Sequence, residues 1–187
     1  MTATLESVRS RSFAFILGSP HGGGNTEALA RYAAEGLPSD AGAGWLSLSE
    51  LPLPARPAGP LPQGPEKVLL DATLDSTDLV LASPLHWYSV SAATKLYLDY
   101  WARWSGLPDV AFRERMRGKN LWAVTAYARG DDSDTEPLTG MLRRTADYLG
   151  MHWRGALLAR AHREGDLEAD PAALARAATF FTPPRHP

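Results

Sequence analysis

Runs of consecutive apolar residues along this chain predict buried strands. Three such runs, at Phe13–Leu17, Asp78–Ser83 and Leu121–Thr125, are typical of parallel strands that are covered on both faces. Trp45–Leu48 instead alternates apolar with small polar residues, which indicates a strand at the edge of a sheet. Met151–Ala159 supplies a fifth strand. The pattern therefore predicts a five-stranded sheet with the first, third and fourth strands at its centre.

Helix-forming segments separate these strands. They are predicted at residues 26–35, 66–76, 91–104, 137–149 and 171–181. Strand–helix alternation of this kind predicts an α/β fold of three layers, with a five-stranded parallel sheet of order 2-1-3-4-5 and helices on both faces. In such sheets, ligands bind beyond the carboxyl ends of the strands where the order reverses, here between the first and third strands.

Composition and charge narrow the class of protein. The chain has 187 residues, of which 44% are hydrophobic, and we predict a flexible N-terminus at 1–12, one domain at 13–181 and a tail at 182–187. The net charge of -2 provides no basic surface for nucleic acid or an anionic membrane. No run reaches the ~20 apolar residues of a membrane span, so a cytoplasmic protein is expected. Because the chain has no cysteine, redox chemistry would require a bound organic cofactor.

The segment between the first strand and the first helix, residues 18–26, carries the clearest chemistry. Glycines before a helix leave backbone N–H groups unpaired at the positive end of the helix dipole, which favours an anion. The Lys of a Walker A loop is absent, Glu27 stands where a dinucleotide fingerprint needs glycine, and there is no cysteine for a phosphatase. A monophosphate remains, or a connector without a ligand. The groups available to a monophosphate belong to Ser19, His21, Gly24, Asn25 and Thr26.

Two signatures resemble the NAD(P)H-dependent FMN reductase family, whose fold is flavodoxin-like. Gly-Ser-Pro-His followed by Gly-Gly-Gly-Asn-Thr, over residues 18–26, is similar to the family's phosphate loop. His21 replaces the usual Arg or Lys there, so the phosphate affinity is expected to depend on pH. The second signature, over residues 83–99, is matched at Ser83, Pro84, Trp87, Ser89, Lys95 and Asp99. It departs from the family at His86, usually Tyr, and at Tyr88, usually Gly.

The resemblance implies bound FMN, with NADPH or NADH as co-substrate. The loops expected to meet at the carboxyl ends of the strands are 18–26, 84–90 and 126–131. Beyond the phosphate loop, the residues predicted to contact the cofactor are Pro84, Leu85, His86, Trp87, Tyr88, Tyr127, Arg129 and Gly130. His86 either donates to the flavin O2/N1 edge or packs under its own loop. Arg129 serves that edge, binds a nicotinamide phosphate, or lies on the surface.

No catalytic side chain is predicted, because the cofactor supplies the chemistry. No metal is predicted either, since the acidic segment 131–136 lacks the glycine and glutamate positions of a calcium loop. The resemblance implies an FMN-dependent NAD(P)H oxidoreductase that reduces a small acceptor, such as a quinone, a nitro or azo compound, a metal ion or free flavin. One alternative is a flavodoxin-type electron-transfer or flavin-binding module without NAD(P)H activity of its own. Another is a protein of this fold that has lost flavin.

The helix at 91–104 predicts an interface. Apolar and aromatic residues cover most of its circumference, namely Leu96, Tyr97, Leu98, Tyr100, Trp101 and Trp104. A helix on one face of a sheet needs only one apolar side, and Tyr and Trp are enriched at interface centres. We therefore predict a homodimer through helix 91–104. The alternative is that the segment 105–118 folds back over these aromatic residues within one chain.

Overall fold

The computed structural model describes residues 10–57 and 59–182. The elements in chain order are β1 (Ser12–Leu17), α1 (Asn25–Ala34), β2 (Gly42–Ser47), α2 (Gly64–Asp75), β3 (Asp78–Ala82), α3 (Ala92–Ser105), α4 (Phe112–Met116), β4 (Asn120–Tyr127), α5 (Glu136–Leu149), β5 (His152–Arg160) and α6 (Pro171–Thr179). Most of the predicted flexible N-terminus, and all of the predicted tail except residue 182, lie outside the described residues.

All five strands pair in parallel in the order β2-β1-β3-β4-β5, which confirms the predicted sheet. Every residue of β3 is buried, as expected for a central strand. β2 forms one edge and begins earlier than predicted, because Gly42 pairs with Ser12 of β1. Its first three residues are small and exposed, so they give no apolar signal in the sequence.

Helices cover both faces of the sheet, as predicted. On one face, α1 and α6 bury an aromatic cluster in which the rings of Phe15 and Trp45 stack with centroids 4.1 Å apart. On the other face, α2, α3 and α5 enclose Tyr97 and Trp104, both fully buried. With both faces closed by helices, the loops at the carboxyl ends of the strands are the part of the sheet that is left for a ligand.

The segment 105–118, predicted as a loop, contains a 3-10 helix at Pro108–Val110 and the short helix α4. Phe112 of α4 lies with its ring centroid 5.6 Å from that of Trp104 and 5.9 Å from that of Trp101. The four aromatic residues of α3 are at most 3% exposed, and these are Tyr97, Tyr100, Trp101 and Trp104. The expectation that these four residues need a second copy to cover them is therefore wrong, because residues of their own chain bury them.

Candidate functional site

Gly18, the first residue of the loop after β1, links this loop to the end of β3 and to the start of α3. Its amide donates to the carbonyl of Ala82 at 2.8 Å, and its carbonyl accepts from Oγ of Ser91 at 2.6 Å. A Cβ at Gly18 would lie 1.8 Å from Oγ1 of Thr94, so only glycine fits this approach. The loop after β1 is thus fixed directly against the start of α3.

The phosphate-loop segment ends at α1, whose N-cap is Gly24 and which has no side-chain cap. The first-turn amides of Asn25 and Thr26 precede the first intrahelical bond, from Ala28 to the Gly24 carbonyl, so no helical carbonyl accepts from them. Thr26 is buried, with 4% exposure. Ser19 shapes the loop by donating its hydroxyl to the carbonyl of His21 at 2.8 Å. Unpaired amides at the N-terminus of a helix are groups that could hold a small anion.

Two further side chains constrain this loop. The side-chain amide of Asn25 donates to the carbonyl of Arg163 at 3.2 Å, which links the loop to the segment after β5. Glu27 accepts from the amide of Gly23 at 2.9 Å and pairs with Arg31. The Gly23 hydrogen bond is the main cause that lowers the pKa of Glu27, with further help from Arg31. Glu27 was not predicted to shape this loop. A Glu in the first turn of a helix that accepts from a backbone amide before the helix is, however, a common sequence signal.

The loop after β3 is a short hairpin. Ser83 Oγ accepts from the amide of Ser91 at 2.9 Å, and His86 and Ser89 exchange two backbone hydrogen bonds of 2.9 and 3.0 Å. Trp87 and Tyr88 form the turn, with φ of 49° and 63°. Two-residue turns with positive φ at both positions favour Asn-Gly, and other residues there cost roughly 1–2 kcal/mol each. The hairpin tip, defined as Trp87 and Tyr88, is therefore a strained backbone.

The loop after β4 is held by its own carboxylates. Burial, followed by the hydrogen bond to Asp132, raises the pKa of Tyr127 to about 12, and its hydroxyl donates to Asp132 at 2.6 Å. Gly130 has φ of 82°, and a Cβ there would lie 1.7 Å from an oxygen of Asp134. Asp131 and Asp134 form a capping box around the 3-10 helix Asp132–Thr135. Several of the acidic side chains in this segment are thus committed to shaping the loop.

The loops after β3 and β4 border an open cavity of about 500 Å³, which we call the ring cavity. Its lining residues are Leu85, Trp87, Tyr88, Tyr127, Ala128, Arg129, Gly130 and Asp134. Six of these were predicted from the sequence, while Ala128 and Asp134 were not. The capping-box spacing of Asp131 and Asp134 was the available signal for the latter. The cavity lining does not include Pro84, His86 or the residues of the phosphate loop. Pro84 and His86 lie in the loop after β3, and the phosphate loop follows β1.

Comparison with known proteins identifies the class to which this fold and site belong. A family profile described as NADPH-dependent FMN reductase matches residues 12–163. A Bacillus subtilis (strain 168) protein, "Putative NAD(P)H-dependent FMN-containing oxidoreductase YwqN", is 26% identical over 182 residues, which cover 90% of this chain and 95% of the relative. The match therefore spans nearly the whole of both proteins.

Solved structures share the fold. The Trp repressor binding protein from Bacillus subtilis has a TM-score of 0.74 and 24% identity, covering 94% of this chain and 99% of that one. The apo form of NADH:FMN oxidoreductase (EMOB) has a TM-score of 0.69 and 21% identity, covering 91% and 86%. The chain belongs to the NADPH-dependent FMN reductase family. It is an FMN-dependent NAD(P)H oxidoreductase with a flavodoxin-like fold, as the two sequence signatures predict.

Proposed function

We propose that the chain holds the FMN phosphate at the first turn of α1 and the flavin ring in the ring cavity. The observation that carries this proposal is the shared position of both parts at the carboxyl edge of three adjacent strands, β1, β3 and β4. Neighbouring strands lie about 4.8 Å apart, so the loops after β1 and β4 begin roughly 10 Å from each other. The ribityl chain between the phosphate and the ring spans a separation of this order.

When bound, FMN would supply the redox chemistry, the transfer of two electrons from NADPH or NADH to a small acceptor. The chain binds and orients it. The amides of Asn25 and Thr26 and the hydroxyl of Thr26 hold the phosphate, with Ser19, His21 and Gly24 completing that loop. Arg129, which lines the cavity, supplies a cation for the O2/N1 edge.

Two other residues of the proposed site, Tyr127 and His86, maintain the structure of the loops around the cavity. With a pKa near 12, the Tyr127 hydroxyl stays protonated at neutral pH and continues to donate to Asp132. This hydrogen bond to Asp132 fixes the wall of the cavity. His86 lies outside the lining, and its backbone exchanges both of its hydrogen bonds with Ser89, so its main chain closes the hairpin.

Replacing Thr26 by alanine is expected to weaken FMN binding about tenfold or more and to leave riboflavin binding unchanged. A hydrogen bond to a charged group contributes roughly 1.5–3 kcal/mol, and riboflavin has no phosphate to receive it. Titration by quenching of flavin fluorescence measures both affinities. Thr179→Ala, an exposed threonine on α6 that lines neither the ring cavity nor the groove between α3 and α5, is the control. Equal affinity of the wild-type protein for FMN and riboflavin would contradict the phosphate site.

The enzymatic role is tested by mixing the FMN-loaded protein with NADPH, and separately with NADH, in the absence of oxygen. We expect the visible absorbance of the flavin to bleach on the timescale of turnover. Reduction by dithionite alone would favour the alternative of an electron-transfer module without NAD(P)H activity. A protein that gains no colour after addition of FMN would favour the flavin-free alternative.

We also infer a cytoplasmic homodimer through helix 91–104. We place the contact between the two copies on the outer surface of this helix. In the described part of the chain, no helix has the length and apolar character needed to cross a bilayer. A groove of about 280 Å³ between α3 and α5 is lined by Leu98, Ala102 and the exposed ring of Tyr148, among others. Light scattering is expected to give twice the 20.3 kDa mass of one chain. A mass of one chain with flavin bound would contradict the dimer.

A further inference from the structure

Ser91, the residue before α3, bonds two loops of the proposed site at once. Its hydroxyl donates to the carbonyl of Gly18 in the loop after β1 at 2.6 Å, and its backbone amide donates to Oγ of Ser83 at 2.9 Å. Ser83 in turn donates its hydroxyl to the carbonyl of Pro84 at 3.1 Å, at the start of the loop after β3. A single residue therefore connects the loop of the proposed phosphate site to the loop that borders the ring cavity.

The hydroxyl protons of this cluster have one consistent arrangement. A hydroxyl has one proton and a backbone carbonyl can only accept, so the Ser91 proton points to Gly18. The contact of 3.0 Å between the hydroxyls of Ser91 and Thr94 then uses the Thr94 proton, and Ser91 Oγ also accepts from the Thr94 amide at 3.2 Å. Because Ser83, Ser91 and Thr94 are at most 3% exposed, bulk water does not compete for these bonds.

Capping of α3 does not by itself require the bond to Gly18. An N-cap needs only an oxygen that accepts from the first turn of its helix, which Asp170 supplies for α6 by accepting from the amide of Ala173 at 3.0 Å. Ser91 meets that need through Thr94 and makes the bond to Gly18 in addition. This additional bond joins two different strand–helix connections, so Ser91 also sets the spacing between their loops.

We propose that Ser91 is a positioning residue that holds the phosphate site and the ring cavity at the separation that FMN spans. The inference rests on the proposed function and adds the residue through which phosphate binding and ring binding reinforce each other. When two binding elements are held at the length of the ligand, the second contact forms at a high effective concentration. Ser91 itself does not touch FMN, so its removal leaves each half of the site in place and disturbs only their alignment.

Replacing Ser91 by alanine is expected to lower the ratio of FMN affinity to riboflavin affinity about tenfold, with a change in riboflavin affinity of less than about twofold. Riboflavin lacks the phosphate and engages only the ring cavity, so it does not depend on the alignment. The size corresponds to the upper range for one hydrogen bond between uncharged groups. Titration by flavin fluorescence on the full chain measures both affinities. Ser91→Thr keeps the hydroxyl and the cap, and is expected to retain the wild-type ratio.

Two control variants separate positioning from a loss of stability. Thr73→Val removes a buried hydroxyl that also bonds two groups, the Leu69 carbonyl and the Tyr97 hydroxyl at 2.6 Å each, near the last turn of α2. It should lower the unfolding midpoint, as Ser91→Ala does, and leave the affinity ratio unchanged. Thr125→Val removes a buried hydroxyl of β4 that has no hydrogen-bond partner among residues 10–57 and 59–182, so it should lower neither quantity.

An unchanged ratio in Ser91→Ala would overturn the proposal, and so would equal losses of FMN and riboflavin affinity, because these would assign Ser91 to stability alone. A lowered ratio in either control variant, or in Ser91→Thr, would also overturn it. Ser83→Ala provides a second variant that removes the other link and keeps the Ser91 hydroxyl. Its ratio is expected to fall in the same direction, and an unchanged ratio there would show that the loops are not aligned through Ser91.

The proposed function is tested separately in the same titrations. If the wild-type protein binds FMN and riboflavin equally, the phosphate site fails before any variant is compared. If the wild-type protein prefers FMN and Thr26→Ala removes that preference while Ser91→Ala does not, only the inference about Ser91 fails.

Discussion

Replacing Asp78 by alanine is expected to lower the free energy of unfolding by about 3–5 kcal/mol, because it leaves buried partners without their acceptor. Asp78 begins β3 at the end of the sheet opposite the site, and its side chain is fully buried. Its carboxylate accepts from Arg11 at 2.5 and 3.1 Å, from Trp122 at 2.9 Å and from Asn120 at 2.8 Å. One carboxylate therefore connects β3 to the residue before β1 and to two residues of β4.

Urea unfolding near neutral pH measures this loss, with Asp71→Ala as the control. Asp71 is 51% exposed and pairs only with Lys67 on the surface of α2, so its removal should cost at most about 1 kcal/mol. Asp78→Asn keeps the shape of the side chain, removes its charge and replaces one accepting oxygen by an NH2 group, which cannot accept from Arg11, Trp122 or Asn120. An Asp78→Ala protein as stable as Asp71→Ala would show that the network contributes nothing.

The same network makes the free energy of unfolding depend on pH in the acidic range. Burial by itself raises the pKa of Asp78, but the hydrogen bonds from Arg11, Trp122 and Thr77 and the charge of Arg11 outweigh it, so the pKa lies below its ordinary value of 3.8. A group with a lowered folded pKa stabilises the fold fully above its unfolded pKa and loses that contribution as the pH falls through the folded value. The difference in stability between wild type and Asp78→Asn should therefore shrink below pH ~4.

The sheet could be predicted from the sequence because its central strands are buried on both faces and so appear as unbroken apolar runs. The loop between β1 and α1 could be predicted because its glycines stand between an apolar run and a helix-forming segment, whereas its binding of phosphate stays a prediction. The edge strand β2 was only half found, since Gly42, Ala43 and Gly44 are small, exposed residues that carry no periodic signal. Where burial is one-sided or absent, the pattern of apolar residues carries less information.

The covering helix α4 could not be predicted for a related reason. It has five residues, of which only Phe112 and Met116 are buried, and the three between them are charged. The sequence showed that α3 needs a second apolar partner but not whether that partner belongs to the same chain. The backbone conformation of the hairpin tip was not predicted, because the positive φ of Trp87 and Tyr88 contradicts the preference of aromatic residues. Local propensity therefore gives no signal for this turn.

Gly18→Ala is expected to destabilise the fold by about 3 kcal/mol, at the upper end of the cost of overpacking, and to weaken FMN binding strongly. The added Cβ would lie 1.8 Å from Thr94 Oγ1 and 3.1 Å from Ser91 Oγ. Both hydroxyls are buried at the start of α3, and Ser91 also bonds the Gly18 carbonyl, so neither side chain has free space to move into. The clash would displace the loop after β1 from the loop after β3, and with it the phosphate site from the ring cavity.

A double-mutant cycle with Thr94→Ala checks this mechanism. Removing the threonine hydroxyl leaves Cβ of residue 94 as a contact at 3.2 Å, so the combined variant should be more stable than the sum of the single losses by at least about 1 kcal/mol. Gly22→Ala is the matched control for stability, because a Cβ at Gly22 meets nothing within 4 Å. Thermal or urea unfolding and FMN titration are measured on the four proteins of the cycle and on Gly22→Ala. A Gly18→Ala protein that unfolds like Gly22→Ala would refute the close approach between β1 and α3, and additive losses would show that Thr94 is not the group it meets.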